Sequence, residues 1–191
     1  PFMGQGMCAG IRDVSNLAWK IAHCLKNEHN DKLLNTYQSE RFSNVKEYIE
    51  TTMRMGEFVN AVGKSPITNS ISADSKGRKS MKSIKPRLGQ GLGDLKDKFR
   101  GKIFPQFIIK KNKKLDEKFS LKPALIISDE IKNISSKIKL IKSKNIKNLE
   151  LFFKEHNCKA VIVRPDRFIL SSCTSVKNFN SYLNKNLSLL A

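Results

Sequence analysis

The chain has 191 residues, a formal net charge of +19 and a hydrophobic fraction of 39%. This length allows one or two small domains, each with its own core. Because no apolar run reaches the roughly 18 residues of a membrane span and no charged-then-apolar leader opens the sequence, we expect a cytoplasmic protein without a membrane partner.

The positive charge is concentrated in the later part of the sequence. Residues 7–61 carry seven basic and seven acidic side chains, residues 62–118 carry sixteen and five, and residues 119–191 carry thirteen and five. Such an excess suits polyanionic partners. Few aromatic residues interleave with the lysines to make a stacking platform for bases, so the pattern favours a solvated basic surface over a nucleic-acid partner.

The four cysteines, Cys8, Cys24, Cys158 and Cys173, are widely spaced and form no C-x-x-C pair. This spacing favours reduced thiols over a zinc site or a disulfide framework. The three histidines likewise lack metal-ligand spacing and a partner carboxylate in a catalytic pattern. We therefore predict no metal site and assign no catalytic residue.

The most informative stretch is the first two dozen residues, where a loop with Gly4 and Gly6 leads into a helical pattern. Apolar side chains then recur at steps of three and four, as on one face of a helix. Glycines let the backbone approach a ligand, and the free N–H groups of a first helical turn suit an anion or an electron-rich carbonyl. From spacing alone, a surface turn before an ordinary packing helix is the favoured interpretation.

Residues 1–20 read Pro-Phe-Met-Gly-Gln-Gly-Met-x-x-Gly-Ile-Arg-Asp-x-x-Asn-Leu-Ala-Trp-Lys. This run resembles the second flavin-binding stretch of the FAD-dependent aromatic-ring hydroxylases, the family of phenol and hydroxyphenylpropionate monooxygenases. The resemblance implies flavin contacts from Gly4, Gln5, Gly6, Met7 and Cys8, and an aromatic substrate near Pro1 and Phe2. Cys8 replaces the family's usual Asn, so a side-chain hydrogen bond to the flavin would be lost or weakened while the backbone contact is kept.

Three later segments are similar to the same family: Tyr37-x-x-Glu40-Arg41, Gly101-Lys-Ile-Phe-Pro-Gln106 and Val163-Arg-Pro-Asp166. For Glu40 and Arg41 we favour a helix-surface ion pair, or an anchor to another domain, over an acid–base pair. Where the family has glycine after the aspartate this chain has Arg167, which makes a tight glycine-dependent turn less certain.

The resemblance and the hydrophobic patterns together predict an α/β fold. Residues 1–61 would be the C-terminal flavin-loop and helical segment of an FAD-binding, Rossmann-type monooxygenase domain, 62–100 a basic linker, and 101–191 a thioredoxin-like α/β domain lacking CxxC. The predicted strands are Phe107–Ile109, Ala124–Ser128, Ile138–Ile141, Ala160–Arg164 and Phe168–Ser171, and the predicted later helices are Ile146–His156 and Val176–Leu190. No G-x-G-x-x-G fingerprint occurs, so we expect the part that holds the adenine and pyrophosphate to lie elsewhere.

The resemblance implies an FAD-dependent, NAD(P)H-using monooxygenase that hydroxylates a phenolic ring, of which this chain alone would be inactive. Its implied partners are an aromatic small molecule and the N-terminal FAD-binding region. Homodimerisation is a further alternative that the sequence leaves undecided. The alternative is a non-enzymatic thioredoxin-like binding or oligomerisation module, or the remnant of a split gene.

Overall fold

The computed structural model describes residues 5–26, 31–60, 71–73, 79–81, 84–110, 113–119, 121–132, 134, 136–144 and 146–187. The predicted substrate residues Pro1 and Phe2 and the predicted flavin residue Gly4 lie outside this range. None of the helices that the structure describes is both long enough and apolar enough to cross a bilayer.

Two long helices form the first half of the structure: α1 spans Gln5–Lys26 and α2 spans Asp31–Asn60. They pack side by side and antiparallel, since Lys20 of α1 donates a hydrogen bond to Thr36 of α2 at 2.8 Å while Asp13, further back in α1, meets Arg41, further on in α2. The second helix is continuous through Ser43 and Asn44.

The segment from 62 to 100, predicted as a basic linker, is described in part. Strands β1 (Ile71–Ala73) and β2 (Lys79–Met81) pair antiparallel. Residues 84–100 run along α2, where the Gly89 N–H donates to the Glu40 carbonyl at 2.8 Å. Gly91 passes so close to α2 that an added Cβ would lie 2.3 Å from Cγ of Glu40. This part of the segment is therefore packed against the helix pair.

The second half of the chain is built on short strands and two further helices. The antiparallel pair β3 (Ile108–Lys110) and β4 (Lys113–Lys114) leads into a 3₁₀ turn at Leu115–Lys118. The remaining elements are β5 (Ala124–Ile127), β6 (Lys139–Lys142), α3 (Lys147–Glu155), β7 (Ala160–Val163), β8 (Ile169–Cys173) and α4 (Phe179–Leu187).

Strands β5 to β8 form one four-stranded sheet in the order β6-β5-β7-β8. Strand β5 pairs parallel with β6 and antiparallel with β7, and β7 pairs antiparallel with β8. Every residue of β5 and β7 is buried. Continuous apolar runs such as Ala160–Val163 are typical of strands covered on both faces.

The two faces of this sheet carry separate cores. One face packs with α3 around an aromatic group that includes Phe104, Phe107 and Phe152. The other face packs with α4 through Phe179 and Leu183. Successive residues of β5 alternate between the two cores, as the two-residue period of a strand requires.

The predicted strands and helices of the second half are observed with ends that differ by a few residues. A hairpin through Pro165 and Asp166 joins β7 to β8. Arg167 adopts φ +71°, the left-handed conformation that glycine favours, so the tight turn forms without glycine. Its guanidinium lies 3.6 Å from the centre of the Phe119 ring and pairs with Asp116, and these contacts offset the conformational strain.

Candidate functional site

The first turn of α1 contains most of the described residues that the sequence assigned to a flavin. The helix begins at Gln5, so Gly6, Met7 and Cys8 lie in its first turn. Gly6 and Met7 are exposed and Cys8 is half-buried. The first four N–H groups of a helix have no acceptor within the helix, and this turn contains no acidic side chain. The turn therefore presents N–H groups that have no acceptor within the helix, together with the positive end of the helix dipole.

An apolar stripe runs along α1 behind this turn. Its members recur at steps of three, four and seven residues and are exposed in this structure: Met7 (73% exposed), Ile11, Val14 (67%), Ile21 and Leu25 (79%). The sequence predicted this face as a packing face. Within the described residues, no element covers the stripe, and α1 instead contacts α2 through its polar side.

The polar side of α1 meets a buried charge cluster that the sequence did not predict. We define the Glu40 cluster as Asn16, Lys20, Glu40, Arg100, Arg164 and Asp166, all of which are buried. Glu40 has no exposed surface and lies at the centre. Its residues come from α1, α2, the segment before Gly101 and the β7–β8 hairpin.

Each carboxylate oxygen of Glu40 accepts several hydrogen bonds. Oε1 accepts from the Leu92 N–H at 2.9 Å and from Nη1 of Arg164 at 2.8 Å, and Nη2 of Arg100 lies 3.8 Å away. Oε2 accepts from Nη2 of Arg164 and Nζ of Lys20, both at 2.9 Å, and from Nδ2 of Asn16 at 3.2 Å. The Arg164–carboxylate pair is bidentate, the strongest geometry for such a pair.

Asp166 provides the second carboxylate of the cluster. Its Oδ2 accepts from Nη2 of Arg164 at 2.6 Å and from Nδ2 of Asn16 at 2.9 Å. Asn16 thus donates to a carboxylate on α2 and to another in the β7–β8 hairpin. The guanidinium of Arg164 also lies 5.1 Å from the ring centre of Trp19, so α1 covers one face of it.

The protonation states follow from this geometry. Burial alone would raise the pKa of the Glu40 carboxyl, but the charges and hydrogen bonds of Arg164 and Lys20 outweigh it and lower the pKa to about 2. Burial lowers the pKa of Lys20, and Glu40 opposes that change. Burial also acts to lower the pKa of Arg164, but Asp166 and Glu40 reverse the effect and raise it. Glu40 is therefore an anion, and Arg164 a cation, at neutral pH.

Arg41 lies next to the cluster and tethers a different set of residues. Its Nε donates to Asp13 at 2.6 Å and its Nη1 to Asn44 at 2.6 Å, while Nδ2 of Asn44 donates to the Pro86 carbonyl at 2.7 Å. Of the two roles expected for Glu40 and Arg41, the helix-surface ion pair is wrong, and an anchor to another domain stays a prediction. Each residue is buried and pairs with residues of other elements, because the antiparallel helix and the 84–100 segment cover them.

The structure shows where the cysteines and His156 lie. None of the four cysteines, all of which the structure describes, is joined in a disulfide, and Cys158 and Cys173 are buried. The His156 ring packs 4.6 Å from that of Phe152, centre to centre. In the part of the chain that the structure describes, no group of three or more His, Cys, Asp or Glu side chains could hold a metal ion.

Comparison with known proteins shows which proteins the chain is similar to. Residues 1–52 match the family model described as "FAD binding domain". The chain is 35% identical over 113 residues to a probable NADH-specific resorcinol 4-hydroxylase of Rhodococcus jostii, and 45% identical over 56 residues to a 3-(3-hydroxy-phenyl)propionate/3-hydroxycinnamic acid hydroxylase of Burkholderia vietnamiensis. The predicted resemblance to the FAD-dependent aromatic hydroxylases is confirmed.

Solved structures of flavin-dependent hydroxylases share the fold. Aklavinone-11 hydroxylase, solved with FAD and aklavinone, matches 98% of this chain with a TM-score of 0.57 at 16% identity. The flavin-dependent monooxygenase PieE matches all of the chain with a TM-score of 0.61 at 12% identity. The mixed helix-and-sheet fold predicted from the sequence is thereby confirmed.

The chain corresponds to part of each of these flavin-dependent hydroxylases. It spans 41% of the aklavinone-11 hydroxylase chain and 45% of the PieE chain. It spans 20% of the R. jostii resorcinol hydroxylase and 10% of the B. vietnamiensis hydroxylase. The match to the R. jostii protein covers 57% of this chain, and that to the B. vietnamiensis protein covers 29%.

Proposed function

We propose that the chain works as part of an FAD-dependent monooxygenase that hydroxylates a phenolic ring with NAD(P)H as reductant. The observation that carries the proposal is the match of residues 1–52 to an FAD-binding domain, in the same residues that place free backbone donors at a helix N-terminus. Two similar proteins act, by their names, on hydroxylated aromatic compounds, and one is named as NADH-specific. Bound FAD would supply the oxygen chemistry of the reaction.

The first turn of α1 would hold the flavin through its backbone. Its contacts would come from Gly4, Gln5, Gly6, Met7 and Cys8, with Pro1 and Phe2 beside the aromatic substrate. The exposed amides and the positive end of the helix dipole stabilise negative charge on the pyrimidine side of a reduced flavin without a charged side chain. The first turn suits that role because it has no carboxylate to repel such charge.

The apolar stripe on α1 supports a partner in the same enzyme. Exposed apolar surface of this extent marks an interaction face. We propose that the remaining, FAD-binding part of the protein packs over Met7, Ile11 and Val14, which are exposed here. The proposal agrees with the chain's span of less than half of the solved hydroxylases. Alone, the chain would neither retain FAD nor hydroxylate a ring.

The part from 101 to 191 would be a thioredoxin-like lobe lacking CxxC, joined through residues 62–100 to the helical segment 1–61. The sheet order β6-β5-β7-β8, with its single parallel pair and its terminal hairpin, supports this assignment. Without a C-x-x-C pair the lobe would pack and form subunit contacts rather than exchange disulfides. The four described cysteines form no disulfide, which supports the proposal of a cytoplasmic location.

A chimera with a related hydroxylase tests the flavin assignment. Residues 1–52 would replace the matching segment of the B. vietnamiensis hydroxylase, and FAD content and hydroxylation of its substrate would be measured after purification. We expect a yellow protein that retains activity. A folded chimera that contains no FAD, beside a parent that is fully loaded, would overturn the proposal.

A second function is favoured by the completeness of the C-terminal lobe, whose sheet is covered on both faces by the chain's own residues. Such a lobe could act as a non-enzymatic binding or oligomerisation module in the product of a split gene. The reading frame upstream separates the two functions, because an in-frame dinucleotide-binding segment supports the enzyme and a stop codon supports the module.

A further inference from the structure

The Glu40 cluster joins the helix that carries the candidate flavin turn to the C-terminal lobe. Glu40 accepts from Asn16 and Lys20 on α1 through one oxygen, and from Arg164 of the hairpin through both. None of these contacts comes from the described part of the first turn, Gln5–Cys8. The cluster therefore acts on that turn through the rigid body of α1.

We propose that Glu40 is a positioning residue of the flavin site, which clamps α1 to the C-terminal lobe and so fixes the direction of its first turn. This inference rests on the proposed function. It gives the C-terminal lobe a role in the cofactor site, exerted through α1.

The charge balance makes the clamp depend on Glu40. Lys20, Arg100 and Arg164 contribute three positive charges, whereas Glu40 and Asp166 contribute two negative ones. Removing the Glu40 charge leaves three buried cations with one carboxylate, Asp166. Buried charges without a partner are costly, so the guanidinium of Arg164 would move toward water or toward Asp166, and α1 would lose its contact with the hairpin.

A small rotation of α1 at the cluster displaces its first turn by a larger distance. Asn16 follows Gly6 by ten residues, which is about 15 Å along a helix that rises 1.5 Å per residue. A tilt of about 10° at Asn16 would therefore move the first turn by roughly 2–3 Å. Misplacement of a binding group by about 1 Å can already cost a hundredfold in rate.

Hydrogen exchange on the 191-residue chain tests the clamp without any flavin. In Glu40→Gln we expect amides of α1 to exchange at least tenfold faster than in the wild type, while those of β5 and β7 keep their rates. The matched control is Glu47→Gln, because Glu47 is an exposed residue on α2, the helix that also carries Glu40. This variant should change neither the α1 rates nor the sheet rates. Unchanged exchange in α1, or an equal increase in α1 and the sheet, would overturn the inference.

A second, less disruptive variant keeps the test usable if Glu40→Gln does not fold. Asn16→Ala removes the hydrogen bonds from Asn16 to Glu40 and Asp166 but leaves the Lys20–Glu40 and Arg164 ion pairs in place. We expect the same pattern of exchange at a smaller amplitude. If Glu40→Gln does not fold, α1 rates in Asn16→Ala equal to those of the wild type would overturn the inference.

The flavin test uses a chimera in which all 191 residues replace the matching region of the monooxygenase PieE, which matches the whole of this chain. The dissociation constant of FAD, measured by flavin fluorescence, should rise at least tenfold in Glu40→Gln and less in Asn16→Ala, with a shifted flavin absorption band. A wild-type chimera without FAD would overturn the proposed function. FAD bound equally well by the wild type and both variants would overturn the inference alone.

Discussion

The replacement of Glu40 by glutamine should destabilise the chain strongly at neutral pH. The two residues have nearly the same shape, so the variant changes charge and hydrogen bonding rather than volume. One carboxylate oxygen becomes an NH₂ group, which must then face the donors of Lys20 and Asn16 or those of Arg164. Breaking a buried ion pair by removing one partner costs about 3–5 kcal/mol.

The pKa of Glu40 gives an independent magnitude. The carboxyl has a pKa of about 2 in the folded chain instead of 4.5. One pKa unit corresponds to about 1.4 kcal/mol, so the ionised carboxylate stabilises the fold by roughly 3 kcal/mol at pH 7. The two magnitudes agree, and for a protein of this size they correspond to a fall of roughly 6–20 °C in Tm.

The sign of the pH dependence follows from the lowered pKa. The unfolded chain binds the Glu40 proton more tightly than the folded chain does, so acid favours unfolding. The stabilisation is complete above about pH 5 and is lost as the pH falls from 4.5 toward 2. Glu40→Gln lacks this carboxyl, so the Tm difference between wild type and variant should shrink over that range.

Thermal unfolding followed by circular dichroism at pH 7, 5, 4 and 3 measures this difference. Other carboxyls titrate in both proteins and cancel in the comparison. A Tm difference that stays constant with pH, or an equally large effect of Glu47→Gln, would refute the account of Glu40 as a buried carboxylate held by cations.

Further predictions concern the close approach of Gly91 to α2, the apolar stripe on α1 and the buried thiols. Gly91→Ala should destabilise the chain by about 1–3 kcal/mol in urea unfolding, because its Cβ would lie 2.3 Å from Cγ of Glu40, and an unchanged midpoint would contradict that contact. Val14→Lys should change the stability of the isolated chain by less than about 0.5 kcal/mol, yet abolish its association with the FAD-binding part in co-purification. Burial raises the pKa of Cys158 to about 11 and also raises that of Cys173, so at pH 8 both thiols should resist alkylation until the chain unfolds, as counted by mass spectrometry.

The sequence predicted the elements of the C-terminal lobe because their patterns are local. A run such as Ala160–Val163 is apolar throughout, and a proline-containing turn follows it, so both the strand and its end can be recognised. The observed turn shows the limit of that method. Arg167 adopts the conformation expected of glycine because Phe119 and Asp116 hold its side chain, and neither neighbour is visible from the local sequence.

The Glu40 cluster could not be predicted from local patterns, because its central ion pair joins residues 124 positions apart. Periodicity places Asn16 and Lys20 on the polar side of α1, where solvent exposure is the ordinary expectation. Their partners Glu40 and Asp166 come from α2 and the β7–β8 hairpin, which only the tertiary fold brings next to α1. A buried ion pair is therefore a property of the tertiary fold.

One signal in the sequence did point to the cluster, although the cause was not apparent. The segments that resemble the hydroxylase family include Asn16 and Lys20 in the first, Glu40 in the second and Arg164 with Asp166 in the last. In the structure these residues meet around one carboxylate. A motif with no apparent chemistry can thus be explained by electrostatics, since each buried charge requires the others. The same requirement ties the position of the candidate flavin turn to a hairpin more than 140 residues further along the chain.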